Sequence, residues 1–436
     1  MASSSSFLIK SHTIESQHIR EYPHATAHSQ EEPLLLAVKQ YIPLSNLSPS
    51  PGDISIIAAH ANGFPKELYE PLWEDLLHLL GQRGIKIRGI WIADVTHQGQ
   101  SGILNEANLG NDRSLLDRPH PRPPPPNQHF PLFPPPPLIG LGHSFGANII
   151  VNLSLLHPRL FTSLLLLDPV LSRFQSKGPA YGFAPMKASA FRRDLWPSLS
   201  AAKSAFESNP FYKTWDKRVF NKWLEHGLRP TPTRIYPDAP EGSVTLLTTK
   251  HMESFTYYRP IRQKLAQDGK SHELDWELIP DADEVVKQNP DFPFYRPEGG
   301  PATADKLPNV RPGCIWIFGG ESNVNPADVR QEKLDLTGVG PGGSGGVKKG
   351  RVKAVTIEGF GHLVPMERTT EVAGYAADFL VEDLKYWKKE QQEFEEHWKK
   401  KRDEEKWVLS EEFEGWMGGR PVRKAKKDGE GPKGKL

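Results

Sequence analysis

The stretch Leu138-Ile-Gly-Leu-Gly-His-Ser-Phe-Gly-Ala-Asn-Ile-Ile150, "LIGLGHSFGANII", decides the fold. An apolar run ends in Gly142-His-Ser-Phe-Gly146, and an apolar segment able to form a helix follows at once. That is the sequence form of a buried strand, a sharp turn and a helix, with a hydroxyl at the apex. Gly142 and Gly146 remove side chains where strand and helix come closest, which lets Ser144 take a strained backbone and expose its oxygen. Average Gly and Ser usage would produce G-x-S-x-G on the order of 0.1 times in a chain this long. The flanks therefore carry the argument. Gly342-Gly-Ser-Gly-Gly346 also fits, but it sits in "TGVGPGGSGGVKKG" with no strand before it and no helix former after it. This second match reads as a flexible loop, and without a Lys-Ser/Thr ending it is no phosphate loop.

Outward from the elbow, eight strand-like runs recur in order: "FLIKSHTIES", "EEPLLLAVKQYI", "DISIIAAH", "IKIRGIWIAD", "PPLIGLG", "TSLLLLDPV", "GCIWIFGG" and "RVKAVTIEG". The first two alternate polar and apolar residues, as an antiparallel edge hairpin does. The later ones are continuous apolar runs suited to strands buried on both faces of a parallel sheet. A helix is expected in "ELYEPLWEDLLHLLGQRG", where Leu72, Trp73, Leu76, Leu77, Leu79 and Leu80 form one face, and another from Ser144 to Leu156. The fold class is α/β: an eight-stranded, mostly parallel sheet with a helical lid inserted after the sixth strand. Residues 1–170 and 309–384 make the core, 171–308 the lid, and 385–436 a charged helix and a disordered basic tail. Trp387, Phe394 and Trp398 fall at intervals fit for one packed stripe. In the lid, Trp196, Phe211, Trp215 and Trp223 are candidates to line a lipophilic pocket, although a core for the insertion would use the same rings. Residues 117–137, "DRPHPRPPPPNQHFPLFPPPP", stand where the alternation calls for a helix that proline forbids. A polyproline linker is the plain reading, and a frameshifted gene is the other. An uninterrupted reading frame in the transcript would exclude the frameshift.

The chain has 436 residues with 54 basic and 53 acidic side chains, a net charge of +1. No global field draws it to nucleic acid or an anionic membrane. Its single cysteine, Cys314, excludes an internal disulfide framework and fits a reducing compartment. No apolar run is long enough to span a bilayer, and the first residues lack a signal-peptide core. The final Gly434-Lys435-Leu436 is one residue away from the peroxisomal Ser-Lys-Leu address. A peroxisomal import receptor is the partner such an ending implies, with a cytoplasmic location otherwise.

A serine hydroxyl needs a base within hydrogen-bond reach, itself oriented by a carboxylate. His362 follows the last predicted strand in "TIEGFGHLVPME", after Gly359 and Gly361, which permit a tight loop aimed back at the elbow. Two strand ends offer the acid. Asp168 closes "LLLLDPV" and is the favoured choice; Glu321 closes "IWIFGGES", where Ser322 occupies the place an aspartate would usually take. The amide of Phe145 and one from Asn62, Gly63 or Phe64, in "AAHANGFPKE" after the third strand, would face an oxyanion. "DVTHQGQSG" is a compact turn shaping the same rim, where His97 reads first as a structural hydrogen-bonding residue, with substrate binding as the alternative. No metal or organic cofactor is needed for this chemistry.

"HANGFPKE", "DVTHQGQSG", "LGNDRS", "GLGHSFGA", "LLLLDPV", the "WPS…F…WDKRV…EHGLRP" lid and "EGFGHLVPME" occur in the order of the α/β-hydrolase fold family. The chain resembles that family over about residues 5–385, and within it the fungal branch that holds toxin-biosynthesis hydrolases and the yeast peroxisomal lipase. The resemblance implies a Ser144–His362–acid triad, a helical lid and hydrolysis of an ester or thioester of a small lipophilic acyl substrate. A peroxisomal acyl-CoA thioesterase is the runner-up, favoured if Arg192, Arg193 or Arg229 forms a basic cleft. A catalytically silent binding protein is the third reading.

Overall fold

The computed structural model describes residues 6–17, 22, 24–112, 135–171, 183–259, 263–277, 294–295 and 300–419. Most of the expected proline-rich segment and the Gly434-Lys435-Leu436 ending lie outside them. The eight expected runs become β1 (Phe7–Glu15), β2 (Leu35–Pro43), β3 (Ile54–Ala59), β4 (Ile87–Ala93), β5 (Leu138–His143), β6 (Ser163–Leu167), β7 (Gly313–Gly319) and β8 (Val352–Ile357). They form one sheet in the order β1-β2-β4-β3-β5-β6-β7-β8. β1 pairs antiparallel with β2 and β2 antiparallel with β4, while every later pair is parallel. All of β5, β6 and β7 is buried, as uninterrupted apolar runs require. β8 differs from that expectation. It is the edge strand, with Lys353 and Ala354 exposed.

Helix α1 (Glu70–Gln82) buries Leu72, Trp73, Leu76 and Leu80 against one side of the sheet core. The short α2 (Gly99–Leu104) follows β4, and α3 (Phe145–Leu156) starts directly after β5 with no connecting loop. Ser144, between them, has φ 59° and ψ −124°. That backbone is costly for a residue with a Cβ and persists only where the surroundings enforce it. A Cβ at Gly146 would lie 2.4 Å from the Ala59 oxygen and 2.5 Å from that of His60, and one at Gly142 would lie 2.3 Å from Ala147 Cα. The first turn of α3 thus rests on the end of β3, beside the loop expected to hold the second oxyanion donor.

Between β6 and β7 the insertion carries α4 (Phe183–Phe191), α5 (Leu199–Ser208), α6 (Pro210–Lys213), α7 (Lys217–His226) and α8 (Lys250–Tyr257). It also holds a three-stranded sheet of Leu195–Trp196, Val244–Leu246 and Leu228–Pro230, and two short two-stranded ribbons. It is mixed rather than purely helical. After β7 come α9 (Ala327–Leu336) and, beyond β8, α10 (Thr369–Glu393). The "TGVGPGGSGGVKKG" segment is not a loose loop: Ser344 N donates to the Val310 oxygen (2.9 Å) and Gly345 N to that of Gly338 (2.8 Å).

The chain divides into two compact units, Met1–Leu384 and Lys385–Leu436. In the second, Phe394 and Trp398 are 47% and 41% exposed, which corrects the packed stripe that their spacing suggested. Among the described residues no helix is long and apolar enough to cross a membrane.

The crowding at the elbow sets a direct expectation. Gly146→Ala drives a methyl into two backbone carbonyls that cannot move independently of β3, and should cost at least about 2 kcal/mol. Gly361→Ala meets nothing within 4 Å and should stay within about 0.5 kcal/mol of the parent. Urea midpoints of the two variants check both values.

Candidate active site

Three strand ends bring the expected residues together. Ser144 Oγ lies 2.8 Å from His362 Nε2, and His362 Nδ1 lies 2.6 Å from Asp168 Oδ2. Ser144 and Asp168 are almost fully buried, and the His362 side chain is 24% exposed, so the imidazole alone of the three faces outward. His362 reaches the serine because Gly359 turns the chain at φ 77° and because the loop leans on the neighbouring strand end. A Cβ at Gly319 would sit 2.1 Å from the Gly361 oxygen, and Glu321 N donates to the Phe360 oxygen at 2.9 Å.

The two candidate carboxylates stand in different positions relative to His362. Glu321 has an exposed side chain, and the imidazole bonds Asp168 instead. Asp168 is fully enclosed, with φ 35°, a second strained non-glycine backbone at the site. Its Oδ1 accepts from Gly319 N at 3.1 Å, and its Oδ2 accepts from Ser322 Oγ at 2.6 Å as well as from His362. Ser322, at the position where an aspartate was expected, therefore bonds Asp168. Behind it, buried Lys333 donates to Asn325 Oδ1, and Asn325 Nδ2 donates to the Pro169 oxygen at 3.2 Å, fixing the chain just past Asp168. Burial pulls the Lys333 ammonium down to about 7.

The oxyanion candidates separate by their hydrogen bonds. Gly63 N donates to Gln98 Oε1 (2.8 Å) and Phe64 N to the Ala61 oxygen (3.2 Å), which corrects the expectation that either could serve. The amides of Asn62 and Phe145 have no acceptor among the described residues. Phe145 N is the first amide of α3, at the positive end of the helix dipole.

Two side chains that sequence reasoning passed over tie this loop to the base. Tyr69 Oη accepts from Ala61 N (2.8 Å) and donates to His143 Nδ1 (2.9 Å), while His143 Nε2 faces the His362 carbonyl at 3.3 Å. Burial, with the nearby His362, pushes the His143 pKa down to about 3, so its ring is neutral and that tautomer is fixed. His60 is held the same way: Nδ1 donates to the Ala61 oxygen (2.8 Å) and Nε2 accepts from Val95 N (3.0 Å). His97 is structural, with Nε2 3.1 Å from Thr256 Oγ1.

The aromatic residues proposed as a pocket need correction. Trp196, Trp215 and Trp223 are buried in one cluster with Phe206 and Tyr212, and Trp215 and Trp223 reach Phe64 at ring-centroid distances of 5.3 and 6.4 Å. They form the insertion's core. Phe211 is 50% exposed on its surface. The arginines do not form a free basic cleft: Arg192 is paired with Glu253, Arg229 with Glu106 (2.5 Å), and Arg193 lies over the Trp196 ring at 5.7 Å. Among the described residues no group of acidic, histidine and cysteine side chains could hold a metal ion.

With this geometry in place, similarities to known proteins become interpretable. The chain is 39% identical over 429 residues to the type I acyl-CoA thioesterase mpaH of Penicillium roqueforti, covering 92% of this chain and 93% of that one. It is 26% identical over 250 residues to the abhydrolase domain-containing protein AKT2 of Alternaria alternata, covering 57% of this chain and 84% of that one. The peroxisomal α/β-hydrolase Lpx1 of Saccharomyces cerevisiae shares the fold with a TM-score of 0.60 at 15% identity, over 95% of this chain and 96% of that one. No family model matches the chain.

His143 gives the site a pH signature. The unfolded chain takes up its proton near pH 6.5 and the folded chain only near 3. Stability from this group is complete above 6.5 and is lost as pH falls toward 3, by up to about 1.4 kcal/mol per pH unit. Denaturant unfolding between pH 7 and 4 should show a steeper loss for the parent than for His143→Gln. Parallel slopes would mean that His143 is protonated in the native state.

Proposed function

The chain belongs to the α/β-hydrolase family, and from that premise we propose that it is a serine hydrolase that cleaves a lipophilic acyl-CoA thioester through an acyl-enzyme. The observation that carries the reading is the unbroken line from Ser144 Oγ through His362 to Asp168, at 2.8 and 2.6 Å. The thioester is supported by the 39% identity to a protein named as an acyl-CoA thioesterase.

Ser144 Oγ attacks the acyl carbon while its proton passes to His362 Nε2. The Asp168 carboxylate, held by Gly319 N and Ser322 Oγ, keeps Nδ1 protonated and stabilises the imidazolium. The carbonyl oxygen becomes an oxyanion facing the amides of Phe145 and Asn62, donors of a kind that contribute about 10²–10³ each. Collapse breaks the C–S bond, and His362 returns the proton to the leaving sulfur. Water then attacks the Ser144 ester, giving its proton to His362, and the carboxylic acid leaves with Ser144 restored. The Gly434-Lys435-Leu436 ending supports a peroxisomal setting, which import of a fluorescent reporter carrying the last dozen residues tests.

A plain ester is the second reading. It is favoured by the pairing of Arg192 and Arg229 with carboxylates, which leaves neither available for the phosphates of coenzyme A. Comparing an acyl-CoA with the same acyl group on N-acetylcysteamine separates the two, since only a true coenzyme A site prefers the former.

A fluorophosphonate probe should label the parent and not Ser144→Ala. Asp168→Asn should lower kcat by about 10³–10⁴, and Glu321→Gln should leave it within about twofold. The reverse ranking of the two carboxylates would overturn the assignment.

A further inference from the structure

Gln98 is fully buried between the oxyanion loop and the insertion, and its side chain bonds to both. Its Oε1 accepts from Gly63 N at 2.8 Å; its Nε2 donates to Asn62 Oδ1 at 2.6 Å and to Thr256 Oγ1 at 2.9 Å. Thr256 belongs to α8 of the insertion, and the Asn62 amide is one of the two free oxyanion donors.

Three further contacts join the same elements. Asn62 Nδ2 donates to the Glu253 carbonyl at 3.1 Å, and Gly99 N donates to Thr248 Oγ1 at 2.9 Å. A Cβ at Gly63 would lie 2.8 Å from the Glu253 carboxyl, so α8 presses directly on this backbone. The Glu253 carboxylate is itself fixed from α4 and its end, by Ser189 Oγ at 2.6 Å and by Arg192. On the core side Ala61 N is held by Tyr69 Oη at 2.8 Å. The Asn62 N–H thus sits between two engaged amides, one anchored to the core and the other to Gln98.

We propose that Gln98 is a positioning residue that couples the insertion to the second oxyanion donor, so that the placement of α8 sets the aim of the Asn62 amide. The proposal rests on the serine-hydrolase reading for its catalytic consequence, though not for the coupling itself. The residue type follows from the geometry. Asparagine is one methylene too short to span the loop and α8, and glutamate would offer no donor to Asn62 Oδ1 or Thr256 while placing a charge in a fully enclosed position.

The test uses Thr256→Val, which removes the Gln98 link to α8 together with the His97 Nε2 contact at 3.1 Å while leaving the Asn62–Glu253 bond, alongside Thr256→Ser, Gln98→Met and the Gln98→Met/Thr256→Val double variant. Thr256→Val should lower kcat about tenfold, the worth of one neutral hydrogen bond, with KM within about twofold, and Thr256→Ser should restore it. Gln98→Met should lower kcat about 10²-fold, the scale of one lost oxyanion donor, and the double variant should be no worse. Amide hydrogen exchange across residues 61–64 should quicken in Thr256→Val and Gln98→Met by more than any fall in their urea midpoints accounts for. Multiplying kinetic effects, or wild-type exchange in Thr256→Val, would overturn the coupling. If the parent hydrolyses no acyl substrate, the hydrolase reading fails and the exchange measurement alone decides the proposal.

Discussion

Backbone crowding at Ser144 is the constraint on which the site depends. With only Ser144 between the end of β5 and the start of α3, a Cβ at Gly146 would collide with two carbonyls at the end of β3, and one at Gly142 with the helix itself. The turn between them has φ 59° and ψ −124°. It lifts Oγ out of the sheet, points the first amide of α3 at the same region, and sets that amide beside the loop carrying Asn62. The placement of Ser144 Oγ and of the Phe145 amide, which the proposed mechanism uses as nucleophile and oxyanion donor, therefore follows from one close contact between a helix and a strand.

The second organising element is a carboxylate with no route to water. Asp168 receives bonds from Gly319 N, Ser322 Oγ and His362, which together compensate its desolvation. The imidazole it orients stays partly exposed, as the proposed proton transfers require. Around them the histidines divide cleanly by environment. His60 and His143 are enclosed, their pKa values pushed down by burial, and each spends its ring nitrogens on structural bonds, whereas His362 is partly exposed and bonds Ser144.

Much of this was legible in the sequence because it rests on local rules. The eight strands follow from apolar runs and turn signals, and Ser144, Asp168 and His362 from their places at strand ends. What stayed hidden depends on tertiary placement. Asn62, Gly63 and Phe64 are equivalent as backbone donors until Gln98 and the Ala61 carbonyl claim two of them. The insertion's tryptophans have the same composition whether they line a pocket or fill a core, and their mutual packing decides for the core. Phe394 and Trp398 keep a helical spacing but are exposed, because periodicity says which residues share a face and not what covers it.

The most direct test of the account is mass analysis of the protein quenched within milliseconds of mixing with a long-chain acyl-CoA. A transient mass increase equal to the acyl group is expected on the peptide that contains Ser144, and none in Ser144→Ala. Release of coenzyme A with no adduct at any time, or an adduct on another residue, would contradict a mechanism built on the serine at the elbow.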